Sequence, residues 1–181
     1  MDSSYWNCIA LVSAKCGNNV INMNNTYYNC KNINEAVCGP NVINMVNTYY
    51  NCTNLVAAAC GDNVKDFSYT YAYCNKLTNA ICGNNVINMT ETYINCSNII
   101  DAVCGPNVIN MSNAYRNCTN LINAACGDNV TDMNGAFIGC SKLEKAACGN
   151  KITNLYNVYS SLPNLKYAAC GDNVINMVNT Y

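Results

Sequence analysis

The sequence contains no histidine, and only 10% of its 181 residues are charged. The first absence removes the commonest general base and the commonest metal ligand together. Ordinary soluble chains carry roughly 25% charged residues. Here 9 basic side chains meet 10 acidic ones. So thin a supply of cations excludes the phosphate-neutralising surface that duplex nucleic acid demands, and it leaves no polybasic segment for an anionic membrane. No apolar run approaches the roughly 18 residues of a membrane span. The opening Met1-Asp2-Ser3-Ser4 lacks the basic start and apolar core of a signal peptide. No nucleophile–base pair, phosphate loop or carboxylate pair recurs at a catalytic spacing. The expectation is therefore no enzyme, no cofactor, no nucleic-acid partner and no membrane span.

Asparagine, by contrast, fills about one position in five, beside 15 cysteines and 14 tyrosines. Bias of this kind signals a repeat. Cys-Gly recurs from Cys16 and Cys38 to Cys170 in steps of 22 residues. A second cysteine column runs from Cys8 to Cys140 at the same step, its next slot being Leu162. Columns led by Tyr5, Val20, Met23, Leu11 and Ala14 keep the period, the tyrosine column ending at Tyr181. Cys38-Gly39-Pro40 returns as Cys104-Gly105-Pro106, a longer echo of three repeats. A 22-residue unit cannot bury its own apolar side, but stacked units can, each column becoming an interior ladder. The expected fold is an α/β solenoid of eight such repeats, one domain over 1–181 without recognisable capping repeats.

Within a unit the spacing changes character. Ala58 and Cys60 are two apart, as in a strand, and Gly61-Asp62-Asn63 reads as a turn. Val64, Phe67, Tyr71 and Cys74 then follow at steps of three, four and three, predicting a short helical segment. Parallel strands would line one face, with short helical or irregular pieces on the other.

The unit resembles the BspA-like (Treponema-type) leucine-rich repeat of bacterial surface proteins. Val42, Met45, Thr48-Tyr49, Cys52, Leu55, Ala58 and Cys60-Gly61 fall in the order of that family's pattern. Two departures stand out: the family's strand Ile-x-Ile is Ala-x-Cys, and its proline is Gly or Gly-Pro. The resemblance implies a leucine-rich-repeat fold and a non-enzymatic, ligand-binding or adhesive module. It also implies a cell surface or virion as the setting. The odd cysteine count and the N-terminus leave a cytoplasmic inhibitor or adaptor open.

The cysteines fit buried free thiols better than a disulfide framework or a metal site, because their spacings alternate between 8 and 14 rather than clustering. The asparagine columns suggest stacked amide ladders, with a sugar-binding stripe as the alternative. The core tyrosines are expected to send their hydroxyls to the surface. If Ala58 points inward, the slots of Ala57 and Ala59 point outward. The latter holds Val37, Ile81 and Val103, and the slot of Val56 holds Ile100 and Ile122. A contiguous exposed apolar stripe of this sort marks a partner or assembly surface. The slot of Ile43 (Ile21, Ile87, Ile109, Ile175) adds to it. Trp6, Tyr28 and Tyr50 share one slot and predict an aromatic patch that is either a binding surface or edge packing. The partners expected are a protein or glycan ligand, or further copies joined through open solenoid ends or the stripe.

Overall fold

The computed structural model describes residues 1–180; Tyr181, the final member of the tyrosine column, lies outside them. The chain winds into stacked coils offset by 22 residues. On one face β1 (Asp101–Ala102), β2 (Asn123–Ala125), β3 (Lys145–Ala147) and β4 (Tyr167–Ala169) form a parallel sheet in sequence order. Ala102 pairs with Ala124, and Ala124 with Ala146. A second line of parallel bridges runs Asn22–Asn44–Asp66–Asn88–Asn110–Asp132. Alongside it the backbone N–H of Ile43 donates to Ile21 O at 2.8 Å, that of Lys65 to Ile43 O, and that of Ile87 to Lys65 O.

The expected inward phase is observed. Ala80, Ala124 and Ala146 are buried, as are the Ile33–Leu143 column, the Met23–Leu155 column and the Tyr27–Tyr159 column. The rings of Tyr5, Tyr27, Tyr49, Tyr71, Tyr93, Tyr115, Phe137 and Tyr159 stack with centroids 5.1 to 6.3 Å apart. At the Cys-Gly corner the coils approach closely: a Cβ on Gly39 would sit 2.9 Å from both Cys16 Sγ and Gly17 O. No larger residue fits there without moving backbone.

The segment expected to be helical is not. Among the described residues there is no helix; Met23–Cys30 is a run of turns. Thr26 N–H donates to Met23 O, and Cys30 N–H to Tyr27 O. The third residue of each turn has positive φ: Asn25 at 53° and Asn29 at 59°, with Gly135 and Gly139 in the same slots later. Asparagine and glycine tolerate this left-handed conformation, which a helix cannot contain. The steps of three and four were the spacing of tandem turns. Their other N–H groups bond forward to the next coil, as Met23 N–H does to Asn44 O and Tyr27 N–H to Thr48 O.

The interior is not purely apolar. Fully buried Thr48 and Thr70 donate to Met23 O and Met45 O, 25 residues back. The buried thiols do likewise: Cys52 Sγ donates to Tyr27 O, Cys74 to Tyr49 O and Cys96 to Tyr71 O, all at 3.0 to 3.1 Å. Cysteine here combines the bulk of a small hydrophobe with a weak donor.

The tyrosine hydroxyls also differ from expectation, crossing the interior rather than reaching solvent. Tyr93 Oη donates to Ile81 O at 2.6 Å and accepts from Ile81 N–H at 2.9 Å. Tyr49, Tyr71 and Tyr115 clamp Val37, Ala59 and Val103 in the same way. A clamped residue is unavailable to the strand ladder, which is why β1 stops at Ala102 before Val103. Phe137 has no hydroxyl, and in its coil Ala125 joins the ladder with Ala147. Tyr27 Oη is buried without a hydrogen-bond partner.

Two outcomes follow. Tyr93→Phe should lower stability by about 1–2 kcal/mol, read from denaturant midpoints, while the stack persists; no change would mean the clamp is idle. Burial pushes the thiols of Cys74, Cys96 and Cys118 well above the ordinary 9.0, and that of Cys140 up to about 12. Above pH 9 the unfolded chain therefore loses protons that the native chain keeps. Stability should be flat below about pH 9 and fall by about 1.4 kcal/mol per buried thiol at about pH 10. Denaturation curves from pH 7 to 11 that show no alkaline decline would contradict the buried column.

Candidate functional site

The outward slots of the strand face are built as the alternation requires: in β2, Ala124 is buried while Asn123 and Ala125 are exposed. Val103 is 41% exposed, Ile100 49% and Ile122 36%. Val37 and Ile81 are half-buried, and Ile81 packs against the core cluster. In the slot of Ile100 and Ile122, Val12 and Val56 are exposed as well. Ile100 and Ile122 share a groove of 270 Å³ with Thr78, Asn98, Asn120 and Lys142. Val37, Ile81 and Val103 do not line it. Sequence reasoning missed the polar wall of Asn98, Asn120 and Lys142. Its signal was present: the wall sits two residues before the isoleucine row, hence on the same side of the chain. Asn120 Nδ2 donates to Asn98 Oδ1 at 3.4 Å, and Lys142 Nζ to Asn120 Oδ1 at 2.7 Å, so the wall is itself a ladder.

The Ile43 slot is a separate row. The turn closed by Val20 N–H and Gly17 O stands between it and the strand. Ile21 and Ile43 line their own groove of 580 Å³ with Asn19, Asn41, Asn63 and Lys65. Asn41 Nδ2 reaches back to Asn18 O, and Asn63 Nδ2 to Pro40 O, both at 2.8 Å. The single stripe expected from the sequence is thus two rows, each an isoleucine line beside an asparagine line.

The aromatic patch is a ridge. Trp6 and Tyr28 stack at 4.0 Å, and Tyr28 and Tyr50 at 4.6 Å, with Tyr73 tilted against Tyr50 at 5.2 Å. Ring faces are spent on one another, which favours packing over stacking of a ligand; Trp6 remains 46% exposed. Burial, then Tyr73 and Tyr28, push the Tyr50 hydroxyl up to about 12. Tyr73 lies one slot off the column, so the period alone could not find it.

Asn51-Cys52-Thr53, Asn95-Cys96-Ser97 and Asn117-Cys118-Thr119 match the N-glycosylation triplet, but their asparagines are structural. Asn51 and Asn117 have positive φ and donate to Asn29 and Asn95 at 2.8 and 2.9 Å; Asn95 accepts in that ladder and has positive φ too. All 15 cysteines are free thiols. No helix of the described residues is long and apolar enough to cross a membrane.

The family model described as "BspA type Leucine rich repeat region" matches residues 1–73 and 46–166, in six copies. The crystal structure of the T. pallidum leucine-rich repeat protein is similar at 17% identity, with a TM-score of 0.63, covering 72% of this chain and 67% of that one. A leucine-rich repeat protein from Bacteroides ovatus aligns at 11% identity and a TM-score of 0.41, covering 96% of this chain and 64% of that one. No curated protein matches the chain.

Thiol accessibility checks this placement. Cys8 and Cys170 are exposed, whereas Cys30, Cys52, Cys74, Cys96, Cys118 and Cys140 are buried. Maleimide at neutral pH should label Cys8 and Cys170 first and leave that buried column unmodified until denaturant is added. Mapping of early adducts to the buried column would refute the coil packing.

Proposed function

The chain belongs to the BspA type leucine-rich repeat family, and on that premise we propose that it is a non-enzymatic recognition module. It docks a protein partner along the strand-side row of Ile100, Val103 and Ile122. Leucine-rich repeat proteins typically serve as protein-interaction modules. The observation that carries the reading is the Ile100–Ile122 groove. These side chains are exposed without being needed to close a coil: the same slot holds Asn34, Thr78, Glu144 and Lys166 elsewhere. Apolar residues retained where polar ones fold equally well favour a contact surface. The amides and Lys142 supply a polar rim of the kind interfaces show. We read the unit as one solenoid of eight coils, presented at a bacterial or phage surface as the family suggests.

Ile100→Asp with Ile122→Asp tests this. Folding should survive, since acidic Glu144 already stands in that slot. Proteins crosslinked through a photoreactive residue at Val103 should be lost in the double variant and kept in Ile21→Asp. An identical crosslinked set in all three would remove the reading.

A second reading, lateral self-association, is favoured by the Ile21–Ile43 row on its ladder-bonded backbone. It requires a mass in light scattering that rises with concentration in the presence of reductant and returns to monomer in Ile43→Asp. A constant 19.7 kDa across the dilution series would eliminate it.

A further inference from the structure

In a repeat protein, outward slots that break the pattern are free of the fold's demands. One such break is local and chemically consistent. Along the Ile21 row, isoleucine gives way to Thr131 and Thr153. Three residues further on, Asn134 and Tyr156 occupy a slot held by Ser68, Thr90 and Ser112 in earlier coils. Together Thr131, Asp132, Asn134, Asn154 and Tyr156 line a cleft of 360 Å³.

Polar groups in this cleft differ from their counterparts at Asp66–Ser68 and Asn88–Thr90, while Asn22 and Asn110, like those of the cleft, each accept only a backbone N–H. At Asp66 and Asn88 the slot closes on itself: Ser68 Oγ donates to Asp66 Oδ1, and Thr90 Oγ1 to Asn88 Oδ1. In the cleft, Asp132 Oδ1 accepts only the N–H of Asn134, at 3.0 Å, and Asn154 Oδ1 only that of Tyr156, at 2.9 Å. The second carboxylate oxygen of Asp132, the Nδ2 of Asn154 and the hydroxyl of Thr131 have no protein partner. Tyr156 is 40% exposed and, unlike the aromatic ridge, has no stacked ring beside it. The lone ion pair among the described residues joins Lys166 to Glu144, leaving Asp132 without a cation.

From this juxtaposition we propose that the cleft is a carbohydrate site, taking one pyranose ring of a neutral glycan. The Tyr156 ring is the platform for the C–H face of the sugar. Asp132 Oδ2 accepts from hydroxyl groups, Asn154 Nδ2 donates to a sugar oxygen, and Thr131 Oγ1 can do either. The cleft volume is at the small end of the roughly 300–1,000 Å³ of ligand pockets, which fits a single ring. An adjoining groove of 330 Å³ shares Thr131 and continues past Ile109 and Lys151. It gives room for a second residue of the glycan.

The experiment is a titration of isotope-labelled protein, followed by amide chemical shifts. The probes are methyl α-mannoside, methyl β-glucoside, methyl β-galactoside and chitobiose. At least one should produce saturable shifts at Asn134, Tyr156 and the side-chain amide of Asn154, with a dissociation constant of about 1 mM. Tyr156→Ser and Asp132→Asn should each weaken binding at least about tenfold. Both variants should fold, because serine stands in the first slot at Ser68 and Ser112, and asparagine in the second at Asn44 and Asn110. Absence of shifts at these residues with all four probes overturns the site. So does equal affinity in both variants, or shifts confined to Trp6, Tyr28 and Tyr50.

Discussion

Each coil of this solenoid leaves carbonyl oxygens in the dry interior, and the architecture is organised around giving them donors. Met23 O and Tyr27 O each accept one N–H within their own turn and one side-chain donor from the next coil, Thr48 and Cys52 respectively. A buried carbonyl without a donor costs on the order of 1–3 kcal/mol. The donors must be small enough to stack on their own kind and polar enough to bond. Threonine and cysteine meet both conditions. This accounts for the column from Cys30 to Cys140 and makes it part of the hydrogen-bond scheme rather than filler.

Much of this was legible in the sequence because the period is rigid. The 22-residue columns give the stack, and the two-residue spacing of Ala58 and Cys60 gives the inward phase of the strand. The helical expectation failed at particular residues. Asn25, Asn29, Gly135 and Gly139 fall in two slots that hold mostly asparagine, and a slot where Asn is replaced by Gly marks a left-handed position, which even Tyr69, Tyr73 and Glu91 adopt there. The tyrosine hydroxyls failed differently. Nothing in a column of aromatic residues reveals that the hydroxyls of Tyr49, Tyr71, Tyr93 and Tyr115 reach a backbone twelve residues earlier. Only the substitution at Phe137, with the longer strand beside it, shows in retrospect what the hydroxyl does.

The outward surface was legible as composition and not as geometry. The isoleucine rows could be counted, yet two rows were taken as one, because the turn read at Gly61-Asp62-Asn63 was not recognised as the wall that parts them. The amide columns beside each row are the counterpart of the interior ladders. Asn41 and Asn63 tie coil to coil on the outside as Thr48 and Cys52 do within.

Nearly every inter-coil bond in the molecule spans 21, 22, 23 or 25 residues, as from Met23 to Asn44, Asn29 to Asn51, Asn18 to Asn41 and Met23 to Thr48. Removal or insertion of one complete coil leaves all of these offsets intact, whereas a change of a single residue inside a coil breaks every ladder that crosses it. Recombination between misaligned copies of the coding sequence therefore yields foldable products of altered length, while short indels are purged. The three-coil echo of Cys38-Gly39-Pro40 at Cys104-Gly105-Pro106 is the mark such an exchange leaves, and length becomes the trait along which a lineage of these proteins can most readily diversify.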